Sequence, residues 1–123
     1  MSYRDTRSSR QVILKAIPLL LAHVHDEAIA ANTDFLATDL VSSDPVVMFR
    51  IFVCLDTAAL FRAQVDDDVT EVNLDFNAGA DLAAQSPYMF DMLVHADDHV
   101  NFQANGAVQI EKFIVYEIAW GTM

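Results

Sequence analysis

Apolar and polar positions alternate with a period of two through most of the chain after residue 33. That is the spacing of strands whose two faces meet different surroundings. In Val46–Leu55, one face carries Val47, Phe49, Ile51, Val53 and Leu55, and the other Val46, Met48, Arg50, Phe52 and Cys54. This reads as a central strand with a partly covered second face. Directly after the Asp56-Thr57 step, Ala59, Phe61, Ala63 and Val65 alternate with Leu60, Arg62 and Gln64, which predicts a hairpin between the two runs. Val72, Leu74 and Phe76 alternate with Glu71, Asn73 and Asp75, the cleanest half-buried pattern in the chain. Tyr88, Phe90, Met92 and Val94 alternate with Met89, Asp91, Leu93 and His95, and Val100 and Phe102 open another strand. The last strand runs from Val108 to Trp120, with Val108, Ile110, Ile114, Tyr116, Ile118 and Trp120 on one face and Lys112 as the exception.

Turn signals separate these runs. Asp66-Asp67-Asp68 places three adjacent carboxylates that repel one another, Asn77-Ala78-Gly79 is a turn, and Ala96-Asp97-Asp98 breaks a strand. Asn105-Gly106 is a tight-turn dipeptide because both residues tolerate positive φ. In the first third, Pro18 falls inside Gln11–Val24 and argues against a helix there. Val12, Leu14 and Leu19–Val24 fit extended segments, an arm followed by the first strand. Ala28–Ala31 reads as a short strand or a helical turn, and Thr33–Val41 as a strand leading to the Ser42-Ser43-Asp44-Pro45 turn. Seven to nine short strands without alternating helices predict an all-β fold, a single antiparallel β-sandwich or jelly-roll-like domain over residues 16–123, preceded by an extended basic arm at 1–15.

Charge divides the chain into the same two parts. The whole carries a formal net charge of −11. The arm holds Arg4, Arg7, Arg10 and Lys15 against Asp5 alone, and the remaining three cations, Arg50, Arg62 and Lys112, face 17 acids. An acidic body is unsuited to neutralising phosphates, so no nucleic-acid partner is expected. A basic arm on an acidic body suits contact with an acidic surface of a neighbouring subunit, steered by opposite charge; a frayed, solvated terminus is the plain alternative. No apolar run approaches the roughly 20 residues of a membrane span, and no membrane partner is expected. Cys54 is the single cysteine and reads as a small buried hydrophobe.

Candidate chemistry is thin. His23 and His25 are spaced to share one strand face, and His95 and His99 flank Asp97-Asp98. Imidazole and carboxylate ligands from these segments would make a transition-metal site only if the segments met. The Asp66–Asp68 run lacks the ligand spacing and glycine of a calcium loop, and a solvated turn is the favoured reading. Glu111 and Glu117 are too isolated for an acid–base pair, the serines lie outside nucleophile-elbow contexts, and three glycines rule out a glycine-rich phosphate loop. The expectation is no enzyme, no cofactor and no metal. What stands out is apolarity on second faces: Met48, Phe52, Met89 and Leu93 would lie on the outside or under another chain, with cover by the arm or the Ala16–Val24 segment of the same chain as the alternative.

Several segments carry a resemblance. Leu55-Asp56-Thr57-Ala58, Asn77-Ala78-Gly79-Ala80-Asp81-Leu82, Tyr88-Met89-Phe90-Asp91-Met92-Leu93-Val94, Val100-Asn101-Phe102-Gln103 and Val115-Tyr116-Glu117-Ile118-Ala119-Trp120 resemble small virion proteins of tailed bacteriophages, over residues 34–120. The resemblance is one of pattern rather than of a diagnostic motif. It implies a β-sandwich that forms oligomers on capsids or tails, made in the host cytoplasm and resident in the virion. Among such proteins a capsid decoration (cement) protein is favoured, with the arm across neighbouring subunits, the major capsid protein or another virion protein as partner, and a trimer implied by a three-capsomer junction. The alternatives are a neck, tail or baseplate component, and a carbohydrate-binding sandwich using Trp120, Tyr88 or Tyr116 as an aromatic platform.

Overall fold

The computed structural model describes residues 18–42 and 46–119. The arm residues Arg4, Arg7, Arg10 and Lys15, the Ser43–Pro45 part of the expected turn, and Trp120 lie outside the described residues. Among the described residues eight strands follow one another: β1 (Leu19–Ile29), β2 (Leu40–Val41), β3 (Val46–Leu55), β4 (Phe61–Asp66), β5 (Glu71–Asp75), β6 (Tyr88–His95), β7 (His99–Ala104) and β8 (Val108–Ala119). They form two four-stranded antiparallel sheets, ordered β1-β8-β3-β6 and β2-β7-β4-β5. Every connection except β4–β5 passes from one sheet to the other. This is the strand order of a jelly roll, in which two Greek keys wrap a shared core.

The core is what alternation demands. From β3, Val47, Phe49, Ile51, Val53 and Leu55 are all buried, as the period-two pattern requires. They face Phe61 and Ala63 of β4 and Val100, Phe102 and Ala104 of β7, all buried. Phe61 is the hub. Its ring lies 5.2–6.2 Å from those of Phe35, Phe76, Phe90, Phe102 and Phe113. Such aromatic pairs add about 0.5–1.5 kcal/mol each beyond burial of their area.

Five expectations need correction. The hairpin between Val46–Leu55 and the Ala59–Val65 run does not form, because β3 pairs with β6 and β8 while β4 pairs with β5 and β7. Both runs bury one apolar face, and in a sandwich that condition is met by facing each other across the core. Ala59 only bridges to Leu82.

Ala28 is neither a separate strand nor a helical turn, since β1 continues to Ile29. Thr33–Val41 is a strand only at Leu40–Val41. The preceding residues run beside β7 through irregular bonds: Asn32 N–H to the Ala104 carbonyl, Phe35 N–H to the Phe102 carbonyl, and a two-way clasp between Leu36 and the Asn101 side chain. Asn101 and Gln103 are buried polar side chains on the outer side of β7. The first also donates to Asp39 and the second to Asp34 and Gln64, so this pair holds the segment in place of a ladder.

β5 is not half-buried. It pairs with β4 alone at a sheet edge, and Val72 and Leu74 are 53% and 43% exposed; only Phe76, just beyond it, is buried. The last strand also divides its faces differently. A register shift opposite Cys54/Leu55 places Ile110 and then Phe113, Val115 and Glu117 inward, and turns Ile114, Tyr116 and Ile118 to the outer face. An extra residue in one strand flips every side chain after it, and Lys112 therefore stands outward with the residues that follow.

Turn chemistry follows the breakers but not always by the expected means. Positive φ falls on Asn77, Ala78 and Gly79 (57°, 55° and 79°). Asn105 instead uses its amide: its carbonyl accepts from Leu60 N–H while its own N–H donates to the Leu60 carbonyl. That exchange ties the β7–β8 connection to the one before β4. Asp67 closes the β4–β5 turn by accepting from the N–H groups of Val69 and Thr70, and Asp66 accepts from Asp68 N–H.

Candidate functional site

The outer face of the β1-β8-β3-β6 sheet is the most unusual surface of the molecule. Cross-strand register places Leu93, Met48 and Ile118 in one row, Asp91, Arg50, Tyr116 and Leu20 in the next, and Met89, Phe52, Ile114 and His23 in the third. A fourth row holds Cys54, Lys112 and His25. Most of these side chains are apolar and large. Leu93, Leu20 and Met89 are 63%, 55% and 52% exposed, while Met48, Phe52, Ile114, Tyr116 and Ile118 are half-buried against one another. Phe52 and Tyr116 meet edge to face with centroids 6.1 Å apart.

All four apolar residues expected on the outside are there, and they form two register pairs, Met48 with Leu93 and Phe52 with Met89. Between them sits the pair Arg50–Asp91. Arg50 Nε donates to Asp91 Oδ1 at 2.9 Å and its Nη2 to Oδ2 at 3.1 Å. The carboxylate raises the pKa of the guanidinium, first through this hydrogen bond and then through its charge. Alternation alone does not bring the β8 and β1 side chains to this face. The signal was present in Phe113–Ile114–Val115–Tyr116, an unbroken apolar run that no single buried face can absorb.

Two shallow depressions indent the face. One of about 390 Å³ is bounded by Pro18, Arg50, Phe52, Tyr116 and Ile118. A smaller one of about 180 Å³ lies among Phe52, Cys54, Pro87, Tyr88, Lys112 and Ile114 and is almost wholly apolar. At its rim the Cys54 thiol points to Glu111 Oε2 at 3.5 Å. Burial, then that hydrogen bond, pushes the Cys54 pKa up, so the thiol stays protonated and poorly nucleophilic.

The histidines stand apart. His23 and His25 stack at 6.4 Å on β1, one edge of this sheet, with His25 Nδ1 2.7 Å from the Glu111 carbonyl and Nε2 3.1 Å from Asp26. His95 ends β6 at the opposite edge, three strand spacings (~14 Å) away, and His99 begins β7 in the other sheet. Among the described residues, no group of three or more His, Cys, Asp or Glu side chains is arranged to hold a metal ion. The Asp66 and Asp67 carboxylates accept backbone N–H bonds within their own turn, and those from Thr70 and Val69 hold the Asp67 carboxyl below its ordinary value. Of the aromatic residues considered as a sugar platform, Tyr88 stacks on Phe90 at 5.9 Å and its hydroxyl accepts from Ala83 N–H, while Tyr116 packs on Phe52.

Comparison with protein-family models, curated proteins and solved structures finds no match for this chain.

Proposed function

We propose that this chain is a viral structural protein, a capsid decoration (cement) protein of a tailed bacteriophage, which oligomerises and clamps neighbouring major capsid subunits. The observation that carries the reading is the outer face of the β1-β8-β3-β6 sheet: three rows of apolar side chains across four strands, broken only by one internally neutralised ion pair and His23. A free chain gains nothing by exposing Leu93 and Met89 on β6 beside half-buried Met48 and Phe52 on β3, and contiguous apolar surface of this kind often marks a contact with another protein. Jelly rolls are used by viral capsid proteins, lectins and cupins. The separated histidines do not favour a cupin-like metal centre, and the inward packing of Tyr88 does not favour a sugar platform. The resemblance to phage virion proteins selects the capsid reading from that set, by analogy of fold and pattern.

The partner is the major capsid protein, and shells gain strength when interface area is buried across their subunit junctions. The protein acts without a catalytic step and resides in the virion. Gold-labelled antibody against the chain, applied to particles purified from cells that express its own gene, tests the reading. Label over the icosahedral shell is expected. Label confined to tail or neck replaces the decoration role with a tail one, and unlabelled particles overturn a virion role altogether.

A further inference from the structure

The free edge of β5 offers a second and chemically different surface. Among the described residues its outer N–H and C=O groups have no neighbouring strand, because β5 is the last strand of its sheet. Unpaired edges are templates for another strand, and chains commonly block them with charge. Here the charge is of one sign: Asp66, Asp67, Asp68, Glu71 and Asp75 lie within ten residues with no cation among them. Ion pairs among the described residues join His25 to Asp26, Arg50 to Asp91 and His95 to Asp98, and leave all five of these acids out. Arg62, directly opposite Asp75 in register, sends its guanidinium to Asn32 and Gln103 instead. Exposed Val72 and Leu74 alternate with the acids along the same edge.

The N-terminal segment supplies the complement. Residues 1–15 carry Arg4, Arg7, Arg10 and Lys15 against one acid. Period two in Val12–Ile17 sets Val12, Leu14 and Ala16 on one side, and Ile13, Lys15 and Ile17 on the other. Added beside β5, such a strand would set its first side against Val72 and Leu74 and Lys15 on the side of Glu71 and Asp75. Strand addition of this kind draws affinity from main-chain bonds and specificity from alternate side chains. A β5–β5 contact between copies would instead oppose acid to acid.

We infer that the β5 edge is the docking site for residues 1–17 of a second copy of this chain, so that arms exchanged between copies link the oligomer. This deepens the assembling role proposed above, but its test uses free protein without particles, so the two readings fail independently. The full chain is compared with Glu71→Lys/Asp75→Lys and with Arg7→Glu/Arg10→Glu, all exposed or terminal changes, by sedimentation velocity. The wild-type chain is expected to be oligomeric, and its association to weaken between ~0.01 M and ~0.15 M salt as the screening length falls from ~30 Å to ~8 Å. Each variant alone should associate about tenfold or more weakly. An equal mixture of the two variants should recover association, because each then offers the other an arm and an edge of opposite sign. A monomeric wild-type chain, a variant that associates as the wild type does, a mixture no heavier than its parts (the result of an arm docked on its own copy), or association that strengthens with salt (the result of β5–β5 pairing) would each overturn the inference.

Discussion

Arg50 on β3 and Asp91 on β6 face each other in register and form a two-pronged ion pair between two pairs of apolar side chains on the outer sheet surface. Met48 and Leu93 lie on one side of the pair, Phe52 and Met89 on the other. A two-pronged charge pair favours the register that brings its two partners face to face. It also interrupts a patch that would otherwise be continuous.

Breaking the pair from one side should therefore cost more than removing it. Arg50→Met and Asp91→Leu alone each leave an uncompensated charge among apolar neighbours and should lower the thermal midpoint. The double variant should regain most of the loss while becoming less soluble. Thermal unfolding of the four proteins, read as a double-mutant cycle, checks this; additive losses would show that the pair has no coupling.

Asn101 is the clasp of the irregular segment beside β7. Its side chain accepts from Leu36 N–H and donates to the Leu36 carbonyl and to Asp39, while being only 4% exposed. Asn101→Ala leaves part-buried backbone groups of Leu36 unpartnered and should cost about 1–3 kcal/mol in denaturant unfolding. Hydrogen exchange at Leu36 should quicken with it, and unchanged exchange there would remove the clasp role.

Phe61 should tolerate truncation least. Its fully buried ring meets five other aromatic rings, and Phe61→Ala should destabilise by about 3–5 kcal/mol. Urea titration monitored by near-ultraviolet circular dichroism measures it. A loss as small as that of a surface substitution would contradict the packing.

The acid limb of stability should carry the signature of Asp67. Its carboxyl accepts backbone N–H bonds from Thr70 and Val69, so it ionises more readily folded than unfolded. A depressed folded pKa gives stabilisation that is complete above the unfolded value of about 3.9 and is lost as pH falls through the lower folded value. Asp67→Ala should therefore be less stable than the wild type at neutral pH, with the difference shrinking below about pH 4. Carboxyl titration by NMR and melting curves across that range test the sign; a difference that grows in acid would reverse it.

The jelly roll was largely legible because burial on one face is a local property. Val47 to Leu55 and Tyr88 to Val94 state their alternation without reference to anything distant. Pairing is not local. The apolar faces of β3 and β4 are satisfied equally by lying side by side or by facing across a core, and only the three-dimensional arrangement decides between them. The outer face was half legible for the same reason. Met48, Phe52, Met89 and Leu93 follow from alternation, whereas Ile114, Tyr116 and Ile118 depend on a one-residue shift in β8 that no periodicity announces. Val72 and Leu74 have the pattern of a buried face but sit exposed on an edge strand, a consequence of strand order among the described residues.

Retention of a Met89→Asp/Leu93→Asp variant on particles tests the central claim, that the outer face of the β1-β8-β3-β6 sheet is buried by another virion protein. Both side chains are more than half exposed in the free chain, so the variant should melt as the wild type does. Particles lacking the chain are mixed with either protein, sedimented, and assayed for bound chain. The wild-type chain is expected to pellet with the particles and the variant to stay in the supernatant; a variant that pellets as fully as the wild type would refute burial of this face.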